Sequence, residues 1–252
     1  MKPKIGIIGI IGKELQADLP GTLHRLRELG YAGIELGFAG MDKLGGMDTV
    51  ATALGSAGME LITLHTLREP LRDNLQEHLG CLAATGCRHV TVSWSPADSE
   101  ESIAADAALY REIAPAIHAA GARLCYHHHD HEFRIRFNAH CALDRLLAAA
   151  GPEVLQLHAD IAWAAFGGVQ PAALIERHAG RVPLVHLKDL HDLSIRGCFT
   201  ALGTGLVDIP AALHAARAAG VEWLTVEQDS PRRLAGFDLA TASILNLREF
   251  QG

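Results

Sequence analysis

Histidine makes up 15 of the 252 residues, and its placement beside a few carboxylates is the chemical signature of this sequence. The run Tyr126-His127-His128-His129-Asp130-His131-Glu132-Phe133 concentrates imidazoles next to acid groups. Farther along, Asp160, His186 and Glu227 each close a short apolar stretch, with Lys188 and Asp229 two residues beyond the last two of them. Upstream, Glu35 and His65 occupy comparable positions. Imidazole and carboxylate donors without thiolate suit Mn²⁺, Co²⁺, Fe²⁺, Mg²⁺ or Zn²⁺ and do not discriminate among them. The five cysteines, Cys81, Cys87, Cys125, Cys141 and Cys198, contain no CxxC pair; this reads as buried thiols in a reducing, cytoplasmic compartment.

These residues need a frame. Short apolar runs alternate with longer Ala- and Leu-rich amphipathic stretches, the signal of repeated βα units on a parallel sheet. Eight runs read as strands: Ile5 to Ile10, Ala32 to Gly37, Glu60 to His65, His89 to Trp94, Arg123 to His128, Val154 to Asp160, Val182 to Asp189 and Trp223 to Asp229. Helical stretches near 19–29, 47–57, 73–84, 100–120, 140–150, 171–179, 208–219 and 235–249 separate them, several closed by a helix-stopping glycine. A repeat of about 31 residues over this length predicts an α/β protein, a single (β/α)8 TIM barrel domain over residues 1–252. A doubly wound dinucleotide fold is disfavoured, because Gly9-Ile10-Ile11-Gly12 lacks the GxGxxG spacing.

In a barrel, one parity of each strand meets the helices and must be apolar while the other lines the interior. Ile34 and Leu36 then face out and Glu35 in. Ile62 and Leu64 face out, leaving Thr63 and His65 inside. Leu124 and Tyr126 face out, with Cys125, His127 and His129 inside. The same rule turns Gln156, His158, Asp160, Leu184, His186, Lys188, Thr225, Glu227 and Asp229 inward. The polar ones gather toward the C-terminal strand ends, where barrel enzymes carry their active sites. Unpaired charges in a packed interior cost several kcal/mol each (about that much after relaxation), so the clustering is functional. Asp160, His186 and Glu227 converge as a divalent-metal site. The fifth strand supplies the fourth donor, either His127 by its inward parity or Glu132 beyond the strand end.

The motifs Tyr126 to Phe133 (Y-H-x-H-x-x-E-F), Asp160 to Trp163 (D-I-x-W), Gly180 to Asp189 (G-R-V-x-x-x-H-L-K-D), Gly203 to Asp208 (G-x-G-x-x-D) and Val226 to Asp229 (V-E-Q-D) resemble the sugar phosphate isomerase/epimerase family, with its xylose isomerase-like TIM barrel. The resemblance implies one divalent metal held from strands five to eight, acting on a ketose, an inosose or an oxidised glycoside. Asp160, His186 and Glu227 match its ligands directly. In many members a glutamate stands where this chain has His127, and the resemblance selects Glu132 as fourth ligand with His127 its rival.

The expected chemistry follows from the metal: it chelates a hydroxy-ketone, polarises the carbonyl and makes the neighbouring C–H proton removable by a base. His127, His129 and Glu35 are the candidate bases, and Lys188 steadies the enediolate charge. His65 is placed at the substrate and, with His158, as an orienter of the ligands. Trp163 stacks on a sugar ring, and Arg196 meets the substrate near the Gly203-Thr204-Gly205 turn. Reprotonation gives an isomerase or epimerase of a ketose, keto-sugar or sugar phosphate; loss of a β-substituent gives a lyase, dehydrating an inosose or eliminating from a 3-keto sugar. An abasic-site endonuclease is disfavoured by the net charge of −7 and the lack of basic runs, which also argue against nucleic-acid and membrane partners. A non-catalytic sugar-binding barrel needs no such convergent set. The start Met1-Lys2-Pro3-Lys4 is unlike a signal peptide, and no stretch has the roughly 20 apolar residues of a membrane span. Homodimers and homotetramers are common assemblies for such barrels.

Overall fold

The computed structural model describes residues 2–229 and 234–250. Eight parallel strands form the frame: β1 (Lys4–Ile8), β2 (Gly33–Gly37), β3 (Glu60–Thr66), β4 (His89–Val92), β5 (Arg123–His127), β6 (Gln156–Asp160), β7 (Leu184–Leu187) and β8 (Trp223–Glu227). They neighbour one another in chain order, and β1 closes the barrel on β8 through the pairs Lys4↔Trp223 to Ile8↔Glu227. Helices fall where the apolar periodicity places them, including Leu19–Leu29, Met47–Ala57, Glu100–Ala119 and Ile209–Ala218. Local chemistry sets their ends. Ser99 and Ser102 cap the helix Glu100–Ala119 reciprocally, satisfying backbone N–H groups that have no partner in the first turn. Among the described residues, no helix is long and apolar enough to cross a membrane.

Two apolar regions hold the frame. The large one lies between sheet and helices and includes Ile34, Leu64, Leu124, Tyr126, Leu157, Val185, Leu187, Leu224 and Val226, the outward parity expected of those strands. The small one is separate, made of Ile62, Cys125, Leu184 and Trp223, and plugs the barrel floor. Ile62 corrects the simple alternation. Ile34 pairs with Leu61 and Leu36 with Leu64, so two residues of β3, Ile62 and Thr63, oppose the single Glu35 of β2. Such a bulge breaks the period of two and turns Ile62 inward. Gly6 and Gly33 provide the room that Ile62 fills. Above the floor lies a hydroxyl layer, where Thr63 and Thr91 hydrogen-bond at 2.8 Å and Thr91 reaches His158 Nδ1 at 3.2 Å. The interior is therefore apolar at the bottom, hydroxylic in the middle and ionisable at the C-terminal mouth.

A Cβ on Gly33 would stand 2.7 Å from Ile62 Cγ1 and 2.9 Å from Trp223 Cη2, both in the packed floor. We expect Gly33→Ala to destabilise the protein by about 1–3 kcal/mol through overpacking. A lowered urea midpoint with an unchanged m-value is the result that checks it.

Candidate metal centre

Each candidate ligand is set by the strand that carries it. Asp160 ends β6 and caps the next helix: its Oδ1 accepts from the N–H groups of Ala162 (3.0 Å) and Trp163 (2.9 Å). This leaves Oδ2 turned to the axis. His186 Nδ1 lies 3.8 Å from that oxygen and 2.5 Å from Glu227 Oε2, and His127 Nε2 lies 3.9 Å from Asp160 Oδ2. His127, Asp160, His186 and Glu227 bring four donor atoms within 4.8 Å of one another. Asp160 Oδ2, His186 Nδ1 and Glu227 Oε2 are all buried and, despite close charged neighbours, make no aligned hydrogen bond.

These residues fit a divalent ion. Bonds of about 2.1 Å to one centre allow donors up to about 4.2 Å apart, which covers the Asp160 spacings to His127 and His186. Two carboxylates balance a divalent charge and two neutral imidazoles complete the set. Without an ion, the neighbouring carboxylates favour a protonated, cationic His186 instead. Burial would lower the His186 imidazole, yet the Glu227 and Glu35 carboxylates hold it up to about 10. Burial would raise the Glu227 carboxyl, but Lys188 and His186 pull it well below the carboxylate range. The pocket thus demands positive charge at its centre. Burial, reinforced by His186, holds His127 well below the usual imidazole range, so it is neutral and ready to donate a lone pair.

Lys188 stands over this set as the sequence parity requires. Its ammonium is 3.0 Å from Asp160, 2.8 Å from Glu227 and 2.9 Å from Asp229, and lies 5.6 Å from the ring centres of both Trp163 and Phe199. Burial moves Asp229 up to about 6, against the pull of Lys188. His129 contributes a ring 4.9 Å from that of His127 and 5.5 Å from that of Trp163, and its Nδ1 is buried without a partner. Burial and Lys188 depress it to about 3.

Other sequence-level expectations are redirected by contacts. Glu132 does not join the axial set. It sits on a helical turn, His131–Arg134, beyond the strand, and there its Oε1 accepts from the Tyr126 hydroxyl at 2.7 Å and its Oε2 from the His129 N–H at 2.9 Å. Tyr126 has outward parity and takes the carboxylate with it, and the fifth-strand donor grouped with Asp160, His186 and Glu227 is His127. Glu35 is buried below the mouth, its Oε2 bonded to His65 Nε2 (2.5 Å) and His186 Nε2 (2.9 Å). His65 is thereby engaged with Glu35 and with Ser93 (2.8 Å). Arg196 pairs with Asp130 at 2.9 Å and covers the Trp163 ring at 4.5 Å, closing the β7 loop onto the β5 loop. Trp163 is buried and packs edge-on against Phe199, so it forms a wall. The Gly203-Thr204-Gly205 turn is filled by the chain itself. Asp189 accepts from the N–H groups of Gly203 (3.0 Å), Gly205 (2.8 Å) and Val207 (3.1 Å), and a side chain at Gly205 would collide with that carboxylate. An anion nest is there, and its anion is Asp189.

Sequence reasoning gave no role to His128. Its Nε2 accepts from the Asp160 N–H at 3.0 Å, tying the end of β5 to the backbone of a candidate ligand. The signal was present: a polar residue of outward parity on a barrel strand must find a buried partner.

With this geometry in place, the likenesses to known proteins acquire meaning. Residues 23–249 match the family described as a xylose isomerase-like TIM barrel, and the chain belongs to that family. It is 28% identical to the rhizopine catabolism protein MocC of Rhizobium meliloti, over 86% of this chain and 77% of that protein. It is 26% identical to the inosose dehydratase of Geobacillus kaustophilus, over 86% of this chain and 85% of that enzyme. The fold superimposes on a sugar phosphate isomerase/epimerase from Parabacteroides distasonis with a TM-score of 0.83, at 18% identity over 98% of this chain and 94% of that one.

Burial holds the His128 imidazole down at about 3, so it is neutral in the folded protein. A histidine with a depressed folded pKa contributes stability above its unfolded pKa, about 6.5, and loses it as pH falls from there toward 3. We expect metal-free protein to lose about 2 kcal/mol from this residue between pH 7 and pH 5. Urea titrations at the two pH values check it, with His128→Gln showing the shallower dependence.

Proposed function

We propose that this protein is a divalent-metal-dependent enzyme that enolises a polyhydroxylated ketone, an inosose or keto-sugar. The observation that supports this reading is the convergence of His127, Asp160, His186 and Glu227 beneath the Lys188 ammonium. When bound, the metal supplies Lewis-acid polarisation of a carbonyl.

The chain's own residues do the rest. Lys188, anchored by three carboxylates and walled by Trp163 and Phe199, keeps a positive charge where negative charge develops on the substrate oxygen. His129, whose Nδ1 has no partner and whose ring lies between those of His127 and Trp163, is the group assigned to take the proton from the carbon next to the carbonyl. Trp163, Arg196 and Asp130 close one side of the mouth and exclude water.

Elimination is the outcome favoured by the sequence relatives, since an inosose dehydratase matches over most of both chains. The proton taken by His129 leaves with the departing β-hydroxyl as water, so the step balances with one acid–base group. Isomerisation or epimerisation by return of the proton to carbon is the second reading, supported by the family resemblance and by the fold shared with the sugar phosphate isomerase/epimerase. The cytoplasm, with its reduced thiols, is the compartment proposed for the five free cysteines.

Metal-loaded wild type should carry one divalent ion per chain, and Glu227→Gln should lose it. Incubated with an inosose, the loaded enzyme should give a product lighter by one water in the mass spectrum. A product of unchanged mass would select the isomerase reading, and failure to take up metal under any loading would overturn both. Lys188→Ala should retain the ion and lose about 10²-fold or more in kcat.

A further inference from the structure

One buried carboxylate of the barrel is left without a part in this chemistry. Glu35 projects from β2, is 1% exposed, and reaches into the interior to a residue of β7, three strands away around the barrel. Its Oε2 is 2.9 Å from His186 Nε2, on the ring edge opposite the one that faces Glu227 and Asp160. The same oxygen is 2.5 Å from His65 Nε2. The far nitrogen of His65 meets the Ser93 hydroxyl at 2.8 Å, so a proton donated by Ser93 to Nδ1 leaves Nε2 as the protonated, donating nitrogen. His158 approaches from a third side, with its Nε2 3.8 Å from Glu35 Oε1 and its Nδ1 held by Thr91. Glu35 is therefore surrounded by imidazoles, and His186 separates it from the mouth where a substrate enters.

We propose that Glu35 is not a proton acceptor for substrate but the positioning residue of His186. By accepting from Nε2–H it fixes the tautomer that leaves the Nδ1 lone pair for the ion, and by holding the ring edge it sets the direction of that lone pair. This rests on the metal-dependent reading above. A carboxylate on the far nitrogen of a ligating imidazole orients the ring and raises its basicity, and loss of such a partner costs about 10–100-fold in metal affinity. Here the carboxylate comes from β2, three strands from β7 around the barrel, so the closed sheet itself places it. His65 is the second support: with Ser93 behind it, it keeps the Glu35 carboxylate from rotating away.

Two measurements test this. In zinc-loaded wild type, long-range ¹H–¹⁵N spectra of the histidine rings should show His186 protonated at Nε2 and coordinated through Nδ1; coordination through Nε2 would overturn the proposal. Glu35→Gln, which keeps the shape and removes the charge, should weaken Zn²⁺ binding by about 10–100-fold and shift the ligand-field bands of the Co²⁺-loaded protein, with Glu35→Asp in between. Zinc affinity in Glu35→Gln equal to that of wild type would overturn the positioning role while leaving the metal site standing. Two zinc ions per wild-type chain, one of them lost in Glu35→Gln, would make Glu35 a ligand in its own right and overturn it as well. No zinc uptake by wild type would instead remove the metal-dependent reading and this role together. Should Glu35→Gln not fold, the wild-type tautomer decides.

Discussion

One imidazole shared between two carboxylates organises the interior of this barrel. His186 contacts Glu35 through Nε2 and Glu227 through Nδ1, at 2.9 and 2.5 Å, with all three side chains at most 12% exposed. A carboxylate in such a place without a cation or donor would cost several kcal/mol (about that much even after relaxation), and so would a lone ammonium. The arrangement escapes that cost by alternation: Glu35, His186, Glu227, Lys188 and Asp229 form one row with acid and base in turn. Truncating one member would leave its neighbours unpaired, so positions with no contact to a substrate are constrained as tightly as those at the mouth.

The barrel makes this alternation possible and also tilts it. Asp160 pairs in register with His186, but His186 pairs with Thr225, two residues below Glu227. Donors from neighbouring strands meet because the strands lean about 36° to the barrel axis, which lifts one strand's residue relative to its paired neighbour. The loops then complete the mouth with their own internal anions. Asp189 organises the turn through Gly205, and Asp130 draws Arg196 across Trp163. Both are cases of a charged group satisfied by the protein rather than held for a ligand.

Much of this was legible beforehand. The period of apolar runs located all eight strands within a residue or two, because a strand buried on both faces cannot avoid writing its apolar length into the chain. Parity placed Glu35, His65, His127, Asp160, His186, Lys188 and Glu227 inside, because alternation is a property of the backbone. It failed at Ile62, where a bulge changed the count, and it was overruled at Glu132. There the motif pattern drew attention to an acid beyond the strand end, while the strand itself offered His127.

Sequence alone determined what depends on neighbours along the chain: strand and helix, inward and outward, and the chemical types that reach the mouth. Tertiary structure decided every pairing between distant residues. Asp130 takes Arg196 from 66 residues away, Asp189 fills the glycine turn, and Glu35 reaches His186 from 151 residues away. The reason is physical. A buried charge must be satisfied by whichever partner the closed barrel brings within about 3 Å, and that distance is a property of the fold in three dimensions.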